Sequence, residues 1–179
     1  GVTLDGAPVD VDPRLGLFVA GFGRDHGPRA ELVLTRPDGT RETKLLDIAA
    51  RDWNIERIDG LPPRKVTPKP EDLERIRREG ALIRVARARR GPETDFLGGF
   101  IWPAEGRISG RYGDQRILNG KPRSPHLGVD IAAPIGTPVR ASARGTVSLA
   151  ERGLFYTGGT VVIDRGHGLA TIYSHLETV

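Results

Sequence analysis

His126-Leu-Gly-Val-Asp130-Ile-Ala-Ala-Pro134 sets an imidazole and a carboxylate four positions apart within a run of β-formers. Leu127, Val129 and Ile131 read as a strand. Strand side chains alternate faces, so positions 126, 128 and 130 share one face, and Gly128 carries nothing to fill the space between the other two. A neutral imidazole and a carboxylate converging on an open patch supply two of the three protein ligands of a catalytic zinc site. The same spacing also suits a structural pair satisfied by neighbouring backbone. The chain has only four histidines, and two of the others, His167 and His175, follow in the same C-terminal stretch.

Around this segment, residues 94–179 alternate short β-rich runs with Gly/Pro turns. The runs are Gly99-Phe-Ile-Trp-Pro, Arg107-Ile-Ser-Gly-Arg-Tyr-Gly, Gly128 to Ala132, Pro138-Val-Arg-Ala, Gly145-Thr-Val-Ser-Leu-Ala, Thr160-Val-Val-Ile-Asp and Ala170-Thr-Ile-Tyr-Ser-His-Leu. Regular short strands with turn signals between them predict a sandwich or open barrel. Pro134-Ile-Gly-Thr-Pro and Arg165-Gly-His-Gly read as turns, which makes His167 a turn residue outside the chemistry. Arg116 and Asn119, just before His126, are candidates for a substrate groove or for a solvated loop. On a regular strand, Tyr173 shares a face with His175.

Residues 63–93 have a different character. Pro62-Pro63-Arg-Lys-Val-Thr-Pro-Lys-Pro predicts a stiff, extended linker. From Glu71 to Arg90 the pattern is helical: Leu73, Ile76, Leu82 or Ile83, and Ala86 form an apolar stripe. Pro70 suits the first turn, acids follow it and arginines gather at the end, in keeping with the helix dipole. The arginine run at 85–90 reads as a solvated helix end, with an anionic surface as the alternative.

Residues 1–62 predict a small antiparallel β-sandwich built from Leu17-Phe-Val-Ala-Gly, Ala30-Glu-Leu-Val-Leu-Thr and Thr43-Lys-Leu-Leu-Asp-Ile, with Trp53-Asn-Ile-Glu-Arg-Ile as a further strand. Pro37-Asp-Gly-Thr predicts a hairpin turn, since Asp-Gly supplies positive φ at low cost. His26, between Asp25 and Gly27, reads as a solvated loop residue. The expected architecture is mainly β, in three parts: 1–62 an accessory β domain, 63–93 a linker and amphipathic helix, and 94–179 a β domain bearing the site.

Composition narrows the function classes. The chain has 179 residues, net charge +4 and no cysteine, so disulfides and thiolate ligands are excluded and any metal must use His and carboxylate. No run of 18 apolar residues is present, so no membrane span is expected. The four lysines and 23 arginines are not interleaved with aromatics in the manner of a single-strand nucleic-acid surface, and no nucleic-acid partner is expected.

Taken together, Ile101-Trp-Pro, Gly110-Arg-Tyr-Gly, His126-Leu-Gly-Val-Asp130-Ile-Ala-Ala-Pro, Gly136-Thr-Pro-Val, Gly145-Thr-Val, Gly159-Thr-Val-Val-Ile-Asp, His167-Gly-Leu and Tyr173-Ser-His175-Leu resemble the lysostaphin/LytM-type zinc metallopeptidases of bacterial peptidoglycan. The resemblance covers residues 94–179. It implies a LytM-type antiparallel β domain of the duplicated-hybrid-motif kind. It further implies a Zn²⁺ cofactor held by His126 and Asp130, with His175 as the catalytic histidine that is not a ligand. The implied activity is endopeptidase cleavage of peptidoglycan peptide cross-links, in the periplasm or at the cell exterior. The family takes its third zinc ligand from an H-x-H motif beyond the Tyr-x-His-Leu strand. No H-x-H is present in these 179 residues. The expectation is that the sequence is a piece of a longer domain and that the site as given lacks its third ligand. The alternative implied by the same family is a non-catalytic module that binds cell wall or regulates another wall hydrolase through a protein partner.

Overall fold

A computed structural model describes residues 1–61 and 68–179. Among the described residues the fold is mainly β, with one α-helix. The N-terminal part holds β1 (Val2–Leu4), β2 (Ala7–Val9), β3 (Arg29–Thr35) and β4 (Arg41–Asp47), joined as one antiparallel sheet in the order β2-β1-β3-β4. The β3–β4 hairpin closes where Asp-Gly predicts it. Gly39 takes φ +85°, and the Asp38 carboxylate accepts the Thr40 N–H at 2.8 Å. The Leu17–Gly21 run forms no strand; Phe18 makes a single bridge to Val11.

Trp53-Asn-Ile-Glu-Arg-Ile does form a strand, β5 (Ile55–Ile58), but not with its sequence neighbours. It pairs in parallel with β7 (Gln115–Leu118), which in turn pairs with β8 (Lys121–Pro122). The first 61 residues are thereby hydrogen-bonded to the C-terminal part. Asn119 reinforces the join: its side-chain amide donates to the Leu61 carbonyl at 2.6 Å, and its oxygen accepts the Leu61 N–H at 3.0 Å. Arg116 pairs with Glu56 at 3.0 Å. Both residues considered for a substrate groove therefore hold this junction together.

The linker expected from the proline-rich stretch falls mainly at 62–67, outside the described residues. A 3₁₀ turn, Pro70–Asp72, then leads into α1 (Leu73–Arg87). Leu73 and Leu82 are exposed, and the buried positions are Glu79 and Ala86, flanked by half-buried Ile76 and Ile83. The stripe thus keeps its helical spacing, but with a carboxylate at its centre. The Glu79 carboxylate accepts the Phe155 N–H and the Arg75 Nε–H, each at 2.6 Å. Arg75 also donates to the Gly153 carbonyl and lies over the Phe155 ring. The helix is seated on strand β10 (Thr146–Leu154) and the residue after it through hydrogen bonds as much as through apolar contact.

The C-terminal core is the antiparallel sheet β10 (Thr146–Leu154), β11 (Gly158–Asp164) and β12 (Ala170–Leu176), with β11 in the middle. As the central strand, β11 is buried along most of its length, which accounts for its unbroken Thr160-Val-Val-Ile run. Arg165 is fully buried beside it. Its guanidinium donates to the carbonyls of Ala143 and Arg144, to Thr171 Oγ1 and, at 2.9 Å, to the Tyr173 hydroxyl. Tyr173 also accepts the Ser142 N–H at 2.6 Å. Burial raises the Tyr173 pKa, but the hydrogen bonds from Ser142 and Thr171 and the Arg165 charge outweigh it, and the net shift is downward. Gly99–Pro103 and Pro138–Ala141 remain loops. They meet through Arg140 N–H to Pro103 O and Ile101 N–H to Ser142 O, and their prolines lack the donor a ladder needs.

Candidate metal and active site

Asp130 opens β9 (Asp130–Ala132), which pairs antiparallel with β6 (Arg107–Gly110). The strand does not extend back to His126: residues 123–129 are irregular, with a bend at Gly128, and Leu127 and Val129 are exposed. This corrects the shared-face reading. Positions i and i+4 of a straight strand stand roughly 13 Å apart, too far for a common ion. The bend is what brings His126 Nε2 to 3.1 Å from Asp130 Oδ1.

Two further features aim the pair. Gly110 lies opposite Asp130 in the register, and a Cβ placed on Gly110 would sit 2.4 Å from Asp130 Oδ2. The missing side chain is the room the carboxylate occupies. His126 is clamped by the turn 111–114: its N–H donates to the Asp114 carbonyl, and its own carbonyl accepts the Gly113 N–H, each at 2.8 Å. His126 Nδ1 lies 3.2 Å from the Arg111 carbonyl, which can only accept, so Nδ1 carries the proton of that contact. In the neutral ring, Nε2 then presents its lone pair to a carboxylate oxygen. Either a proton on Nε2 or a bound cation would satisfy the two atoms 3.1 Å apart, and the carbonyl behind the ring is the usual outer-shell partner of a metal-bound histidine.

The chemistry of this donor set, one imidazole and one carboxylate with an outer-shell carbonyl, fits two positions of a zinc site. Among the described residues, no group of three or more His, Cys, Asp or Glu side chains is placed to hold a metal ion. His175 therefore does not join the pair as a third ligand. It lies exposed on β12, in a different sheet from Asp130.

The strand is not regular at His175. The register with β11 slips between Gly159 and Val161, two residues of β12 (Ser174 and His175) facing one of β11 (Thr160), and His175 has φ +61°. This bulge breaks the alternation that would have put Tyr173 and His175 on one face. Tyr173 turns into the Arg165–Ser142 network, while His175 faces solvent. A left-handed histidine costs on the order of 1 kcal/mol or more, and bulges beside active sites commonly re-aim a side chain.

The other two histidines also depart from expectation. His26 is tied down, with Nε2 at 2.9 Å from Asp5 Oδ2 and Nδ1 at 2.8 Å from the Gly27 carbonyl. The hydrogen bonds to Gly27 and then to Asp5 raise its pKa. His167 does sit in a turn, at φ +51°, but its side chain is only 6% exposed, lying against Phe96, with neither ring nitrogen hydrogen-bonded among the described residues and Asp12 4.0 Å away. No sequence signal marked it as buried.

Residues 124–179 match the family described as Peptidase family M23. The chain is 37% identical over 79 residues to a lipoprotein NlpD/LppB homolog of Pseudomonas aeruginosa, covering 44% of this chain and 24% of that protein. It is 49% identical over 52 residues to the DD-carboxypeptidase/endopeptidase Mpg of Neisseria meningitidis, covering 29% of this chain and 12% of that protein. It is 40% identical over 74 residues to the peptidoglycan DD-endopeptidase ShyA of Vibrio cholerae, covering 41% of this chain and 17% of that protein. The chain thus spans a quarter or less of the length of each of these relatives. A crystal structure from Pseudomonas aeruginosa, provisionally described as a peptidase M23, superposes with TM-score 0.68 at 27% identity, over 98% of this chain and 65% of that one.

Proposed function

We propose that this chain carries part of the active site of a zinc-dependent endopeptidase that hydrolyses peptide cross-links of bacterial peptidoglycan, working in the periplasm or at the cell exterior. The observation that carries the reading is the His126–Asp130 pair, bent to 3.1 Å and backed by the Arg111 carbonyl, inside the M23 segment. His126 and Asp130 would hold the ion, whose chemistry when bound is to acidify a water and polarise a carbonyl. The chain's own parts are then separable. Gly110 and the turn 111–114 orient the two donors. His175, exposed and re-aimed by its bulge, is the group to accept a proton from the attacking water and return it to the leaving amine.

A second reading is favoured by the two-donor set, since three protein ligands are normal for catalytic zinc. In that reading the segment is a non-catalytic module that binds wall or regulates another hydrolase through a protein partner. One pair of measurements on the intact gene product separates the two: zinc binding by calorimetry, and muropeptide release from purified wall. The enzyme reading expects zinc to bind and muropeptides to appear. It expects His126→Ala to lose the metal, and His175→Asn, chosen because Asn tolerates positive φ, to keep the metal and lose rate. Wall binding or stimulation of another hydrolase, with no zinc uptake and no release, would establish the module reading instead.

A further inference from the structure

Where the N-terminal part meets the turn that clamps His126, the two enclose a pocket of about 370 Å³. Its titratable side chains other than the Tyr112 phenol are all potentially cationic, namely Arg24, Arg51 and His26, with no Asp or Glu side chain in the wall. Trp53 fixes the geometry. Gly113, at φ +92°, lets the indole lie directly on the turn, because a Cβ there would fall 1.8 Å from Trp53 Cε3. Tyr112 meets the same indole edge-on at 5.8 Å. The guanidinium carbons of Arg24 and Arg51 lie 5.6 and 5.0 Å from the indole centroid. Two like charges are thus gathered at one aromatic ring, an arrangement that costs free energy unless an anion lies between or beside them.

Arg24 makes the case specific. Its side chain is only 9% exposed, yet its buried Nε has no hydrogen-bond partner among the described residues. Its one ion pair, from Nη1 to Asp25 at 3.1 Å, goes to a carboxylate that is 77% exposed and stands outside the pocket lining. A buried guanidinium edge left unsatisfied is costly, and a planar oxyanion is the group that fits it side-on. His26 already donates outward, to Asp5 and Gly27, so it contributes charge rather than a free donor. The remaining wall is apolar, with Pro28 and Ile48 among its residues, and suits a ligand with a small aliphatic body.

We propose that this junction pocket binds a free carboxylate attached to a small aliphatic body, with Arg24 and Arg51 as its receptors. If the chain acts on wall peptides, a point that rests on the function proposed above, the ligand is the carboxylate end of a peptide stem. The pocket then holds that end against the outer side of the turn whose inner carbonyls hold His126.

The test uses the whole chain in metal-free buffer with chelator, so that zinc plays no part. N-acetyl-D-alanyl-D-alanine and its C-terminal amide are titrated by calorimetry, with N-acetylmuramic acid as a sugar-borne carboxylate and inorganic phosphate as a different anion. The acid should bind at least tenfold more tightly than the amide, and binding should weaken with salt. Arg51→Gln, on an exposed side chain, should lose about tenfold or more in affinity with the fold intact, and Arg24→Gln should lose at least as much. Tighter binding of N-acetylmuramic acid than of the peptide would support the pocket and assign its carboxylate to the sugar. Equal binding of acid and amide, phosphate binding as tight as the acid, or no effect of Arg51→Gln would each overturn the proposal. His126→Ala should leave this binding unchanged. Failure of the pocket and failure of the zinc reading are therefore seen in separate titrations.

Discussion

Replacing Gly110 by alanine tests how the metal patch is built. Gly110 faces Asp130 across the β6–β9 pair, and a new Cβ would stand 2.4 Å from Asp130 Oδ2, 3.0 Å from Cγ and 3.2 Å from Cβ. Ordinary contact between such atoms needs roughly 3.5 Å, so the carboxylate must move about 1 Å. The carboxylate is 57% exposed and its side chain can turn into solvent, so the fold loses little. A rotamer displaced by about 30° costs on the order of 0.5–1.5 kcal/mol, and the lower backbone entropy of an unfolded chain with alanine offsets part of that. The melting temperature is expected to change by no more than a few degrees. Metal affinity is another matter, because Oδ1 would leave its 3.1 Å position opposite His126 Nε2. Loss of ligand orientation of this kind costs roughly 10–100-fold in affinity. Zinc titration of the whole chain, paired with a thermal melt, reads both quantities. Gly128→Ala is the matched control: its Cβ would meet only His126 Nε2, at 3.8 Å, and affinity should stay within about twofold. Equal zinc affinity in Gly110→Ala and the unaltered chain would refute the claim that this glycine makes room for a ligand. Equal losses in both variants would refute the geometry itself.

Glu79→Ala should destabilise the seat of the helix by about 1–3 kcal/mol in denaturant unfolding, because the Phe155 N–H loses its acceptor, whereas Glu74→Ala on the exposed face should stay within about 0.5 kcal/mol. Stability should also fall in acid. The Asp12 carboxyl is held below its ordinary pKa, first by the Leu15 N–H and also by the Arg14 N–H, and Glu79 is held down first by the Phe155 N–H and then by Arg75, both against the opposing effect of burial. Since the folded pKa lies below the unfolded value, near 4, the stabilisation is complete above about pH 5 and is lost as pH falls through the folded values. Melts from pH 6 to pH 3 should show this decline, and Asp12→Asn should make it shallower. A melting temperature that rises on acidification would contradict the sign.

Much of the local structure is legible in the sequence because it is decided within a few residues. Asp38-Gly39 specifies its hairpin, and Pro70, the acidic start and the arginine-rich end specify the helix. The unbroken apolar run of β11 marks a central strand. Glu79 shows where such reading stops. A carboxylate at a stripe position looks like a gap in the pattern, and only the arrival of Phe155, far along the chain, makes it a buried acceptor. Likewise β5 reads as a strand, but its partner β7 is chosen by tertiary packing.

The His126–Asp130 pair divides along the same line. The sequence by itself determined its chemistry: with no cysteine and four histidines, the imidazole and carboxylate of His126 and Asp130 are the pair set in a recognisable string. Only the tertiary structure decided that the two groups meet. A strand would have held the two groups apart; the bend at Gly128, the clamp of residues 111–114 and the space over Gly110 bring them together. The same holds for the bulge at His175 and for the pocket of Arg24 and Arg51, whose parts lie far apart in sequence. Distances between side chains depend on long-range contacts that local propensity does not encode. The residue types that carry chemistry are therefore written in the chain, while their convergence belongs to the fold.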